Sequence, residues 1–263
     1  MIDLHSHILP GIDDGASTPD VSMHMLQIAQ RLGLTAIVAT PHLHERLDPT
    51  YQSRVNEAHA TLREIASTFK IDLLLGFEAS LTPDLDQRLL QGELSTIGKS
   101  TSVLVDVPFV GWPLHADESF FRVQAAGFRP VLAHPERYEE IQRNPERALD
   151  LVDRGVLLQV TAGSFAGMFG KPAQRTAEML LRGNAIHVVA SDAHSAGQRF
   201  MAVKPGLGRL RALAGSAAVE LLTVSNPKAI LFDGPIHTTT AVHERTGSFN
   251  FMRVFQRLGS STG

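Results

Sequence analysis

Short apolar runs rich in β-branched residues alternate with longer segments of helical period along most of this chain, and that alternation leaves few folds open. Parallel strands joined by crossover helices produce it, because a strand buried on both faces reads as an unbroken apolar run. Seven such runs are predicted as strands, over residues 2–7, 35–40, 71–78, 102–107, 130–134, 156–161 and 185–191. Helices are predicted between them, over 19–32, 50–69, 145–154 and 172–182. Three of the four have proline near the start and glycine just past the end, the usual asymmetry of helix termini. Seven βα units suggest a closed barrel. An open doubly wound sheet is the alternative, but His5-Ser6-His7 stands where such a fold would carry a glycine-rich phosphate turn.

With 263 residues, 43% of them hydrophobic, the chain can bury the core of one large domain. A formal net charge of −3 provides no basic field for nucleic acid or an anionic membrane. The absence of cysteine excludes disulfides, zinc–thiolate sites and any thiolate nucleophile. The start, MIDLHSH, lacks the basic and apolar regions of a signal peptide, and no stretch reaches the roughly 18 apolar residues of a membrane span. The expectation is a cytoplasmic protein with no membrane insertion and no nucleic-acid partner. Its domain is expected over 1–234, followed by a tail, 235–263, that either docks or stays mobile.

Chemistry gathers at the strand ends. Residues two apart on a strand share a face, so His5 and His7 project together, and paired imidazoles suit a divalent metal. Asp192 and His194 repeat the spacing after the last apolar run. His42 follows the second strand, Glu78 ends the third, Asp106 lies near the end of the fourth and His134 ends the fifth. In closed βα barrels that end carries the active site, because its loops converge on one mouth. A single histidine at a strand end is usually a satisfied polar group. Several imidazoles and carboxylates meeting in one mouth need metal or substrate to compensate them. His24, His44, His59, His115, His187, His237 and His243 read as surface or core residues, with His44 set apart by its closeness to His42.

The segments DLHSHILPGIDDGA, TPH at 40–42, GFEAS at 76–80, AHPERY at 133–138 and SDAH at 191–194 resemble the polymerase-and-histidinol-phosphatase (PHP) family. The resemblance is to its bacterial capsular or exopolysaccharide branch of manganese-dependent protein-tyrosine phosphatases, and it runs in order through residues 1–233. It implies a distorted (β/α)7 TIM-like barrel with two or three divalent metal ions. Carried over position by position, His5, His7, Glu78 and Asp192 hold one ion, Glu78, Asp106 and His134 a second, and Asp14, His42 and His194 a third. Glu78 then bridges. The family more often has glutamate where Asp106 stands, so that arm is about one methylene shorter. The alignment alone selects Asp14 over Asp13, which otherwise reads as a turn residue before Gly15.

Manganese is the ion the family implies, while the donor set also suits iron, zinc or magnesium. Such ions generate a hydroxide nucleophile at neutral pH and clamp phosphate oxygens. A phenolate of reference pKa near ~10 leaves more readily than an alkoxide, so a strong general acid is less necessary. Arg137 and Arg199 match phosphate-binding arginines of the family, and guanidinium offers phosphate a planar fork; both could instead be surface ion pairs. Phe109 and Trp112 either wall an aromatic substrate or pack their loop.

The partner implied is a phosphotyrosine protein, an autophosphorylating bacterial tyrosine kinase of polysaccharide export. Two further readings share the metal site: a small phosphate-monoester phosphatase of the histidinol-phosphate type, and a nuclease-like module, which the missing basic track disfavours. A catalytically idle metal-binding docking domain should have lost ligands. A metal-dependent hydrolase of C–N bonds often uses a carbamylated lysine, and no lysine sits at these strand ends.

Overall fold

The computed structural model describes residues 1–43 and 48–239. Every strand pair among them is parallel. β1 (Ile2–Ser6) pairs with β2 (Ala36–Ala39), and β2 with β4 (Asp72–Leu75). A second sheet runs β3 (His42–Leu43), β5 (Glu78–Ser80), β6 (Ser102–Asp106), β7 (Arg129–Ala133), β8 (Leu157–Thr161) and β9 (Val188–Ala190) in spatial order. The chain is a mixed α/β protein with parallel sheets, and crossover helices join the strands.

One predicted strand, 71–78, is split between the two sheets. Ala39 pairs with Leu75 and His42 with Glu78, an offset of 36 residues on both sides of the break, so the ladder resumes in the register it left. Pro41 explains the interruption: it has no N–H to donate, and its carbonyl accepts from the Glu78 amide at 3.1 Å instead. Glu78 therefore begins a strand facing the cluster. At the other side, β9 leads back to β1. The Asp192 amide donates to the His5 carbonyl at 2.9 Å, the His7 amide to the Ala193 carbonyl at 2.8 Å, and Ser6 bridges Ala193 in parallel.

Neighbouring residues of one strand serve two apolar clusters. Leu104, Val131 and Val188 belong to one, while Val103, Val105, Leu132 and Val189 belong to the other, so both faces of the sheet are covered. Helices form close to their expected places: Pro19–Arg31 capped by Thr18, Pro49–Thr68 capped by Asp48, Glu146–Asp153 and Gly170–Arg182. The long helix Gln198–Glu220 contains Pro205 and a left-handed Gly215, two breakers that hide it from a reading of periodicity. It passes through a wide turn, Leu221–Ser225, into Asn226–Leu231.

Past that helix, Asn226 holds the chain in place. Its side-chain oxygen accepts from the His237 amide at 3.1 Å, and its amide nitrogen donates to the carbonyls of His237 and His187 at 2.7 and 2.9 Å. The start of the expected tail is thus tied to the body, and residues 240–263 lie outside the described residues, as does His44. Among the described residues no helix is long and apolar enough to cross a membrane.

Candidate metal centre

Five imidazoles and four carboxylates come together in one cluster, and Glu78 stands at the middle. Its two oxygens face different partners. Oε1 lies 2.7 Å from His134 Nε2, whereas Oε2 lies 3.2 Å from both His5 Nε2 and His7 Nε2 and 3.1 Å from His42 Nδ1. Asp192 Oδ1 is 3.5 Å from His5 and 3.7 Å from His7. Asp14 reaches His42 and His194 at 3.5 and 3.4 Å from the exposed side of the cluster.

The donors form four sets, each with ligand atoms within 4.8 Å of one another: His5, His7 and Asp192; His5, Glu78 and His134; His42, Glu78 and Asp106; His7, Asp14, His42 and His194. Asp106 thus joins His42 and Glu78, where the resemblance paired it with Glu78 and His134. His115, read from sequence as outside the site, lines the cleft, but its Nε2 lies 2.9 Å from the Leu81 carbonyl.

The outer nitrogens of the buried pair are tied down. His5 Nδ1 donates to Gln159 Oε1 at 2.7 Å, and His7 Nδ1 donates to Asp13 Oδ2 at 2.7 Å. Both Nε2 atoms are left facing each other at 3.1 Å, with Glu78 Oε2 beside them. Two lone pairs and a carboxylate oxygen in a dry site require positive charge between them, which is the orienting arrangement found behind metal-binding histidines. Titration expresses the same demand. Burial opposes protonation of His7, yet its hydrogen bonds to Asp13 and Glu78 push it up to about 10. For Glu78, burial is outweighed by the His5 charge and the imidazole hydrogen bonds, which hold it well below the usual carboxylate range.

The outer imidazoles behave differently. Burial and the nearby His7 charge bring His194 down to about 4, and burial lowers His42 against the pull of Glu78, so both are neutral near pH 7, and His194 Nδ1 accepts from Arg199 Nη1 at 2.6 Å.

Local backbone explains how sequence-distant groups converge. His134 and Asp192 adopt left-handed φ values of 35° and 50°, uncommon for residues with a side chain and characteristic of functional turns. The Asp192–His194 pair consequently lies on a turn beyond β9, not on a pleat, and its spacing brings both side chains inward through that turn. Gly15 is required beneath His7, because a Cβ there would meet the His7 carbonyl oxygen at 2.1 Å. That approach closes the turn in which Asp13 accepts from the Gly15 and His42 amides, both at 3.0 Å. Asp13 therefore supports the cluster from behind, a role its reading as a turn residue missed.

Above the cluster opens a cleft of about 460 Å³, whose lining includes both arginines and every metal-ligand candidate from the sequence except the fully buried His5 and His7. Arg137 Nη1 and Arg199 Nη1 grip Asp192 Oδ2 and Oδ1 at 2.7 and 2.9 Å. The Arg137 guanidinium lies between the rings of Phe109 and Phe169, 4.5 and 4.3 Å from their centroids, and Phe169 also approaches Arg199 at 5.7 Å. Neither arginine is a free surface residue. Phe109 lines the cleft, whereas Trp112 packs under Arg147 and against Tyr138. Phe169 carried no sequence signal.

Residues 1–232 match the model of the family described as capsular polysaccharide synthesis, CpsB/CapC. The chain is 36% identical over 225 residues to the tyrosine-protein phosphatase YwqE of Bacillus subtilis, covering 85% of this chain and 89% of the relative. It is 28% identical over 240 residues to the tyrosine-protein phosphatase CpsB of Streptococcus pneumoniae, covering 89% and 99%. A solved structure from work on YwqE of B. subtilis and CpsB of S. pneumoniae, there called unique metal-dependent tyrosine phosphatases, superposes with a TM-score of 0.84. It is 34% identical and covers 93% of this chain and 100% of that one.

Proposed function

The chain belongs to the CpsB/CapC family of capsular polysaccharide synthesis, and from that premise we propose that it is a metal-dependent protein-tyrosine phosphatase. The observation that carries the reading is the split of Glu78, one oxygen toward His134 and the other toward His5, His7 and His42. That geometry suits a carboxylate shared between ions. His5, His7, Glu78 and Asp192 would hold one ion, Glu78, Asp106 and His134 a second, and Asp14, His42 and His194 a third. Imidazole and carboxylate without thiolate fit Mn2+, the ion proposed, with Fe, Zn or Mg as substitutes. Bound divalent ions supply Lewis-acid charge that lowers the pKa of a coordinated water and offsets the charge of phosphate oxygens.

The chain's own groups do the positioning. Arg137 and Arg199 stand at the edge of the cluster with their guanidinium groups held by Asp192 and flanked by aromatic rings, in place to receive phosphate oxygens. Phe109 offers a ring face at the cleft for the phenyl group of a substrate. Phenolate leaves without a strong general acid, given the reference pKa of tyrosine near ~10. The substrate proposed is a phosphotyrosine protein, an autophosphorylating bacterial tyrosine kinase acting in the cytoplasm. The hydrogen bonds between the segment just after β9 and the end of β1, and the register shared across the Pro41 break, support reading the two sheets as one distorted (β/α)7 barrel of the PHP type, with the catalytic domain ending near residue 234.

Hydrolysis of a phosphotyrosine peptide, a phosphoserine peptide and histidinol phosphate by chelator-stripped protein, before and after Mn2+ addition, tests the substrate. Mn2+-dependent release from phosphotyrosine alone is expected. Equal or faster release from histidinol phosphate would keep the metal centre and overturn the substrate.

A further inference from the structure

His134 and Arg137 leave the same short turn in different directions, and a buried carboxyl lies between them. That turn, Pro135–Arg137, follows β7 directly and is closed by the Arg137 amide donating to the His134 carbonyl at 3.0 Å. Glu136 is fully buried within it. Its Oε1 accepts two hydrogen bonds, from the Ser164 hydroxyl at 2.6 Å and from the Thr161 amide at 3.1 Å, and its backbone carbonyl accepts from Gln142 Nε2 at 2.9 Å. Thr161 ends β8 and begins the one-turn helix Ala162–Phe165. That helix is fixed on its far side, because Gly206 of the helix Gln198–Glu220 packs so closely that a Cβ there would meet the Ala162 carbonyl oxygen at 2.0 Å.

We infer that Glu136 is a positioning residue: by clasping the end of β8 through Thr161 and Ser164, it fixes His134 and Arg137 in one arrangement. A left-handed non-glycine residue such as His134 persists only where its surroundings over-determine it, and the clasp joins the His134–Glu78 contact and the turn's own hydrogen bond in doing so here. With the turn held, His134 Nε2 stays 2.7 Å from Glu78 Oε1 and Arg137 Nη1 stays 2.7 Å from Asp192 Oδ2. Metal binding and phosphate binding thereby depend on one buried carboxyl that touches neither ligand. The inference rests on the phosphatase reading above, but metal affinity tests it without any substrate. Both hydrogen bonds end on one carboxyl oxygen, which an amide oxygen can replace.

The test compares Glu136→Gln, Glu136→Ala and Ser164→Ala in the full chain, measuring Mn2+ affinity by calorimetry, kcat and KM on a phosphotyrosine peptide, and Tm. Glu136→Ala is expected to weaken Mn2+ binding and kcat by ~10- to 100-fold, the usual effect of losing a group that orients a metal ligand, and to raise KM. Glu136→Gln should recover most of both losses. Ser164→Ala, which removes one of the two bonds, should fall between and answers the question if Glu136→Ala does not fold. Asn226→Ala, which loosens the chain far from the clasp, controls for stability and should lower Tm while leaving Mn2+ affinity unchanged. Folded Glu136→Ala and Ser164→Ala proteins with wild-type Mn2+ affinity and KM would overturn the inference, as would a Glu136→Gln protein no better than Glu136→Ala. Wild-type protein that binds Mn2+ but spares phosphotyrosine would overturn the substrate reading alone, whereas one that binds no Mn2+ would overturn both.

Discussion

The two sides of the candidate centre are built differently. On the inner side His5, His7, Glu78, His134 and Asp192 are buried, and supporting groups stand behind them: Gln159 behind His5, Asp13 behind His7 and two arginines on Asp192. On the outer side Asp14 has a side chain 66% exposed, and His42 and His194 are partly open to the cleft. An enclosed donor set held by its neighbours loses little order when a cation binds, whereas an exposed aspartate must be immobilised first. The inner positions are therefore expected to bind tightly and the outer one weakly, with exchange at the mouth.

The sharpest way to break that contrast is Glu78→Ala, which removes the group common to the inner sets. Turnover should vanish and metal content after gel filtration should fall, with the fold retained by circular dichroism; appreciable activity would refute the shared-carboxylate arrangement. Next in size is Asp13→Ala. Releasing His7 Nδ1 should weaken tight metal binding by ~10- to 100-fold, as calorimetry would read it. If Asp13 were only a turn residue, the loss would appear in Tm alone. Asp14→Asn should act on the outer position and cause a loss of about tenfold or less, recovered by raising Mn2+ in the assay; a loss that excess metal cannot restore would place Asp14 with the inner set.

A smaller expected effect lies away from the centre and concerns stability. Burial pushes His187 down to about 4, and its Nδ1 accepts from the Leu158 amide at 3.0 Å. The unfolded chain protonates near pH 6.5, so this group leaves stability intact above that pH. It removes stability as pH falls from about 6.5 toward 4, by up to about 3 kcal/mol. Denaturant unfolding of wild type and His187→Gln at pH 7.5 and 5 should show a smaller pH difference for the variant. The inner histidines His5 and His7, whose folded pKa values are raised, act in the opposite sense, so only that difference isolates His187.

The sequence was most informative where chemistry sits in short motifs. His5 and His7, His42, Glu78 and the Asp192–His194 pair could all be placed together, because the alternation of strands and helices put them at one set of strand ends. The supports behind them were less legible. Gln159 is one polar residue in a mostly apolar strand, Asp13 resembles any turn aspartate, and Phe169 lies in a glycine-rich segment with no periodicity. Each acts through a partner more than 20 residues away, or through a turn whose φ values no local pattern specifies. The split of the third predicted strand had a visible cause in Pro41, but the matching register that carries the ladder past it is a property of two segments together.

The most direct test is phosphate release from a phosphotyrosine peptide as Mn2+ is added back to chelator-stripped protein, with bound metal measured in the same samples. Activity is expected to be absent from the stripped protein, to rise as the buried donors fill, and to be lost in Glu78→Ala at every Mn2+ concentration. Full activity without metal, or release that rises equally in wild type and Glu78→Ala, would contradict a metal-dependent phosphatase centred on Glu78.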